Sequence, residues 1–193
     1  MATITNQAAL SYNGVTTLSN IAVGELVEVL TATKTAADTT YTAGGVKTFV
    51  ISLVNSSAAA LTGLTVTDTL GSYTFSGNTL YPLTYVTGSL LYYVNGALQA
   101  TPTVTATAPL TVTGVTVPAG GSAMLIYTAR VNEYAPLGVE DSITNTATIT
   151  GGGLTSSVTA TETINASPAP QLAISKSISP VSYTHLTLPT NRE

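Results

Sequence analysis

Between Thr31 and Ala166 the chain is a succession of short runs in which apolar residues alternate with polar ones, chiefly threonine, separated by Gly, Pro, Asn or Ser. The plainest run is Ile143-Thr144-Asn145-Thr146-Ala147-Thr148-Ile149-Thr150, where every second residue is threonine. Side chains of a strand point to opposite faces in turn, so a period of two suits half-buried strands and suits no helix. Short alternating runs at this spacing predict an all-β chain with an Ig-like β-sandwich at its centre. The expected strands are 26–35, 47–55, 61–70, 83–86, 90–94, 97–100, 110–115, 123–131, 143–150 and 157–164. Asn95-Gly96 separates two of them, and both residues tolerate positive φ, which predicts a type I′ hairpin. Gly151-Gly152-Gly153 predicts a second hairpin, matched by Asn13-Gly14 near the start. No Gly-rich segment opens a helical pattern, so a phosphate cradle is not indicated.

The phrase Ile143-Thr144-Asn145 has a twin in Ile4-Thr5-Asn6, and an apolar run ending in lysine follows each, at Lys176 and Lys34. The lysine lies 28 residues after the asparagine in the first copy and 31 after it in the second. Such self-similarity reads as a piece of a tandem array, built for length and surface display. Residues 1–30 form an N-terminal β-hairpin extension like the end of a preceding repeat, 31–166 a whole sandwich, and 167–180 a linker and the start of the next unit. Residues 181–193 break the alternation and resemble a translated sequencing adapter, so they are set aside from fold reasoning. The only histidine, His185, lies among them. Taken as part of the fold it is a candidate base or metal ligand; set aside, it leaves no imidazole for a Ser-His-Asp triad or a His-based metal site.

Threonine accounts for 38 of the 193 residues while Lys and Arg together number five, so ion-paired surface helices have no raw material. The net charge of −4 leaves no basic patch for nucleic acid. No stretch approaches the roughly 20 apolar residues of a spanning helix. Without cysteine there is neither a disulfide framework nor thiolate chemistry, and no cofactor is implied. The expectation is a structural, non-enzymatic module at an extracellular, cell or spore surface. The start, Met1-Ala2-Thr3-Ile4-Thr5, lacks the pattern of a signal peptide. Either it is internal to a longer protein, or the protein reaches a surface by another route, as spore-coat components do.

The informative residues are polar ones on apolar faces. Asn145 shares its face with Ile143, Ala147 and Ile149; Asp68 with Leu64, Val66 and Leu70; Lys34 with Leu30 and Ala32; Glu162 with Val158, Ala160 and Ile164. Lys176 repeats the pattern with Leu172, Ile174 and Ile178. Unpaired buried charge costs several kcal/mol, so these groups are expected to meet one another.

Lys34-Thr35, Val66-Thr67-Asp68-Thr69-Leu70 and Ile143-Thr144-Asn145-Thr146-Ala147 resemble the markers of the DUF11 repeat. This is a β-sandwich module of bacterial surface proteins, similar to the isopeptide-forming domains of Gram-positive pili. The resemblance spans 31–166 and implies an extracellular structural role, a tandem arrangement and a self-made Lys–Asn crosslink. It casts Lys34 and Asn145 as the crosslinked pair and Asp68 as the buried acid. Glu162 is a second inward acid, so either carboxylate could serve.

The chemistry also stands without the family. Burial disfavours the charged forms of amine and acid alike, so a neutral amine and a protonated acid can coexist inside a domain. The amine can then attack a carboxamide that the acid polarises, with ammonia leaving and folding supplying the positioning. The other outcome is a plain buried Lys–Asp pair with Asn145 hydrogen-bonded to backbone.

Three further features suggest partners. Tyr73, Tyr81, Tyr85, Tyr92 and Tyr93 could stack on host or matrix glycans in an adhesin, or form cross-strand packing pairs. Glu133, Glu140 and Asp141 flank Pro136-Leu137-Gly138 as a calcium loop or a solvated acidic one, their spacing matching no compact site. The N-terminal segment could pair with another copy or a neighbouring repeat of the same protein, placing Asn6 opposite its lysine, or fold back on its own domain.

Overall fold

Threonine on one face and aliphatic residues on the other suit a pleated, half-buried surface, and the described residues build strand after strand. The computed structural model describes residues 2–26 and 28–167, and among them there is no helix. The N-terminal ribbon consists of β1 (Ala2–Asn6), β2 (Ala9–Tyr12), β3 (Val15–Leu18) and β4 (Ala22–Leu26). The sandwich then runs through β5 (Leu30–Ala36), β6 (Thr40–Tyr41), β7 (Val46–Asn55), β8 (Leu61–Asp68), β9 (Tyr73–Phe75), β10 (Asn78–Leu80), β11 (Leu83–Tyr85) and β12 (Leu91–Val94). It ends with β13 (Ala97–Gln99), β14 (Thr103–Thr107), β15 (Leu110–Val117), β16 (Ser122–Val131), β17 (Ser142–Gly151) and β18 (Val158–Ala166).

Two sheets face each other. One has the order β14-β15-β8-β17-β18-β6; the other is β13-β12-β16-β7-β5, with β11 also on β16. All sandwich pairings are antiparallel except β18 with β6. The alternation decides what fills the space between the sheets. Leu64, Val66, Ile143, Ala147 and Ile149 come from the first sheet, and Phe49, Ile51, Leu53, Leu125 and Tyr127 from the second. Each buried Leu, Ile or Val side chain contributes about 1.5–3 kcal/mol, so these inner faces hold the sheets together.

The structure differs from the expected strands at particular points. The single strand expected over 26–35 is two, because Leu26 pairs with Ala2 in the ribbon whereas Leu30 pairs with Asn55 in the sandwich. The edge strand β14 is absent from the expected strands; Thr103-Val104-Thr105-Ala106-Thr107 does alternate, but the strand is almost wholly exposed, with Val104 packed against the core. The β9–β10 hairpin turns through Ser76 and Gly77, both at positive φ. Asn95-Gly96 and Asn13-Gly14 form the two-residue turns expected of them, with φ of 48° and 81°, and 52° and 80°. Residues 168–193, including Lys176, His185 and the adapter-like 181–193, lie outside the described residues.

Asn55 closes one end of the sandwich. It is buried, and its Nδ2 donates to the carbonyls of Ala59 and Pro118 at 2.8 and 2.9 Å. Its Oδ1 accepts from the Ser57 N–H at 3.0 Å. Asn55→Ala leaves these groups without partners and is expected to lower stability by about 2–3 kcal/mol, read as a shift in the urea midpoint at unchanged slope.

Candidate functional site

Four strands each bring one polar side chain into the space between the sheets. Lys34 comes from β5 and Tyr127 from β16 in one sheet, Asp68 from β8 and Asn145 from β17 in the other. Their exposures are 4% for Lys34, 1% for Tyr127, 1% for Asp68 and 0% for Asn145. Register explains the convergence. Lys34 pairs with Ile51, Phe49 pairs with Tyr127, and Asp68 pairs with Ala147, two residues from Asn145 on the same face.

Lys34 Nζ donates to Asp68 Oδ2 at 2.5 Å, and Tyr127 Oη donates to the same oxygen at 2.7 Å. Asn145 Nδ2 donates to Tyr127 Oη at 3.0 Å. The carboxamide oxygen of Asn145 accepts from the Gly71 N–H at 3.1 Å and from Thr69 Oγ1 at 3.2 Å. The second carboxylate oxygen of Asp68 accepts from the Leu70 N–H at 3.0 Å. Lys34 Nζ lies 5.3 Å from the centroid of the Phe49 ring, which in turn stacks on Tyr127. Among the described residues no buried side-chain nitrogen or oxygen lacks a partner.

The donors to Asn145 come from a turn. Leu70 and Gly71 have φ of 52° and 71°, and the Ser72 N–H donates to the Thr69 carbonyl at 3.0 Å, the pattern of a type I′ turn. Glycine is required at 71, because a Cβ there would collide with Ile143. Leucine at positive φ is strained by about 1–3 kcal/mol, and the Asp68 carboxylate holds it in place.

Burial pulls the Lys34 amine below its ordinary pKa, with the Asp68 carboxylate, and less so Glu162, opposing it. Burial, reinforced by the negative charge of Asp68, pushes the Tyr127 phenol well above its ordinary value. Tyr127 is therefore a proton-bearing donor at neutral pH. Lys34 is an amine whose positive charge burial disfavours.

Lys34, Asp68 and Asn145 thus gather around one centre, as their positions on the apolar faces suggested. Glu162 stands opposite Asn145 in the β17–β18 register but is half-buried and hydrogen-bonds to none of the three. Sequence reading missed Tyr127, Thr69 and Gly71. Tyr127 had a legible signal, since it shares its face with Ala123, Leu125, Ala129 and Val131, and a phenol facing a core needs a partner. The five tyrosines do not make one platform. Tyr85 and Tyr92 are buried in the core, and Tyr92 Oη donates inward to the Thr116 carbonyl at 2.5 Å. Tyr73, on the surface, donates to the Tyr134 carbonyl at 2.7 Å. In the acidic segment Asp141 closes its own loop by accepting from the Gly138 N–H at 2.6 Å.

No protein-family model matches the chain, and no curated protein matches it. Solved structures do. A variant of BcpA, the major pilin subunit of Bacillus cereus, superposes on 86% of this chain and 48% of its own, at TM-score 0.50 and 15% identity. The N-terminal domain of the Streptococcus gordonii adhesin Sgo0707 covers 79% of this chain and 35% of its own, at TM-score 0.50 and 14% identity. The pilus backbone protein RrgB of Streptococcus pneumoniae covers 63% and 31%, at TM-score 0.49 and 14% identity. At such identities the likeness to BcpA and Sgo0707 establishes the fold alone, a pilin-like β-sandwich, and this chain spans about half or less of each of the three chains.

Removing one charge of the buried pair should cost far more than removing both. Lys34→Met leaves Asp68 unpaired and is expected to be about 3–5 kcal/mol less stable in denaturant unfolding than Lys34→Met with Asp68→Asn, which keeps the shape and neutralises the site.

Proposed function

We propose that the chain is a structural module of a bacterial surface assembly, on a cell or a spore, and that Lys34 and Asn145 become joined by an amide. The single observation that carries this reading is the shared centre. Two side chains from opposite sheets, 111 positions apart, converge on one buried acid–phenol pair, Asp68 and Tyr127. The pilin-like sandwich fold and the DUF11-like markers at Lys34, Asp68 and Asn145 support it. The partners expected are neighbouring repeats or other copies of the same protein.

The reaction is a transamidation. A proton moves from Lys34 Nζ to Asp68 along their hydrogen bond, leaving a neutral amine. The amine attacks Cγ of Asn145, a C–N bond forms, the bond to Nδ2 breaks, and ammonia departs. No oxidant or cofactor takes part. Held in a folded core, amine and carboxamide react as one molecule, which replaces a hopeless encounter in solution by a positioned one.

The product ties β5, the first strand of the sandwich, to β17, the last but one. A pull on the ends of the domain would then pass through the amide, and the strands between would carry little of the load. The test is intact mass of the purified chain, expected to be lighter than its sequence by one ammonia. Lys34→Ala and Asn145→Ala should both restore the full sequence mass. Trypsin should fail to cut at Lys34 and should release its peptide joined to the one holding Asn145. A wild-type mass equal to the plain sequence, in folded protein, rejects the crosslink.

A further inference from the structure

The geometry points to three catalytic groups beyond the lysine, asparagine and acid: we propose that Thr69 Oγ1 and the Gly71 N–H hold the oxyanion, and that Tyr127 protonates the leaving nitrogen. This rests on the crosslinking reading given above and specifies how that site works.

Asp68 is badly placed to act on Asn145 directly. One of its oxygens accepts from the Leu70 N–H, the other from Lys34 and Tyr127, and it makes no hydrogen bond to the carboxamide. The oxygen of Asn145 turns instead to the Thr69–Gly71 turn, where a hydroxyl and a backbone N–H converge on it at 3.2 and 3.1 Å. Two donors on a carbonyl oxygen stabilise the negative charge that appears there when an amine adds to the carbon. The turn is preorganised for this. Leu70 is held at positive φ by the carboxylate that also binds the attacking amine, and only glycine fits at 71. Thr69 is fixed as a donor from the other side, because its Oγ1 accepts the Thr146 N–H at 3.0 Å.

The nitrogen of Asn145 faces Tyr127 Oη at 3.0 Å, and that hydroxyl lies 2.7 Å from Asp68 Oδ2. The two contacts make a relay. Lys34 gives one proton to Asp68 and attacks as a neutral amine, leaving an oxyanion and a positively charged nitrogen in the tetrahedral adduct. As the adduct collapses, Tyr127 gives its proton to Nδ2 and takes the proton held by Asp68. The added nitrogen then loses its extra proton to Asp68, Nδ2 leaves as ammonia, and a secondary amide remains. The phenol begins and ends protonated, so it acts as a carrier and nothing is consumed.

The test is a timed cell-free synthesis of the full chain, with loss of one ammonia followed by intact mass and folding followed by circular dichroism. Tyr127→Phe should fold and slow the loss by about 100-fold or more. Thr69→Val, which exchanges the hydroxyl for a methyl, should slow it by about 100-fold, and Thr69→Ser should restore it. Fluorinated tyrosines at position 127 preserve the ring and change its acidity, so the rate should follow the acidity of the phenol. A merely structural Tyr127 would leave that rate flat. Ammonia loss at the wild-type rate in folded Tyr127→Phe or Thr69→Val overturns the assignment and leaves the crosslink standing. Absence of the loss from wild-type chain overturns both.

Discussion

The buried pair of Lys34 and Asp68 is the constraint on which the sandwich is organised. Each charge comes from a different sheet, and neither has water to turn to, so the sheets must meet in the one register that brings them together. A slip of one residue in β5 or β8 would carry a charge to the outer face and replace it with a threonine. The apolar residues around the pair tolerate exchange among themselves far better than the pair tolerates misalignment. Hydrophobic burial supplies most of the attraction between the sheets. The polar centre selects the arrangement.

The same centre explains why an unusual turn persists at residues 69–72. Leucine at positive φ is unfavourable in isolation, and here the Asp68 carboxylate, the Asn145 oxygen and the Ser72 N–H all hold the backbone in that shape. In return the turn presents its donors to Asn145. Asp68 thus links the lysine, the phenol and the strained turn, and changing it alters all three at once.

The fold was largely legible because a period of two leaves few alternatives, and the inward placement of Lys34, Asp68 and Asn145 followed from the same count. What escaped was whatever parity does not encode. β6, β9 and β10 span two or three residues, too few for an apolar rhythm to show, and β14, though it alternates threonine with Val104 and Ala106, is an almost wholly exposed edge strand. Glu162 has inward parity on β18, between the buried Ala160 and Ile164, yet it stays half-buried, which parity does not show. Tyr127 was hidden for the opposite reason: an aromatic residue on a core face looks like packing, and only the groups opposite it, 59 and 18 positions away in sequence, show that its hydroxyl is engaged. Parity likewise separates Tyr92 from Tyr93, two neighbours of which the first is core and the second half-exposed.

The twin phrases at residues 4–6 and 143–145 separate what a short sequence determines from what its surroundings determine. Both copies form antiparallel hairpins, and their asparagines sit at similar positions in the register, Asn6 opposite Ala22 and Asn145 opposite Glu162. Alternation and turn residues thus suffice to make the hairpin in either setting. The inner face of the second copy, Ile143, Asn145, Ala147 and Ile149, is no more than 2% exposed, whereas Ile4 and Leu10 in the first are 60% and 74% exposed. The carboxamide of Asn6 is exposed, whereas that of Asn145 is buried, with a phenol on its nitrogen and two donors on its oxygen. The reactivity assigned to Asn145 therefore lies in the space between two sheets, which a strand acquires only when the rest of the sandwich closes over it.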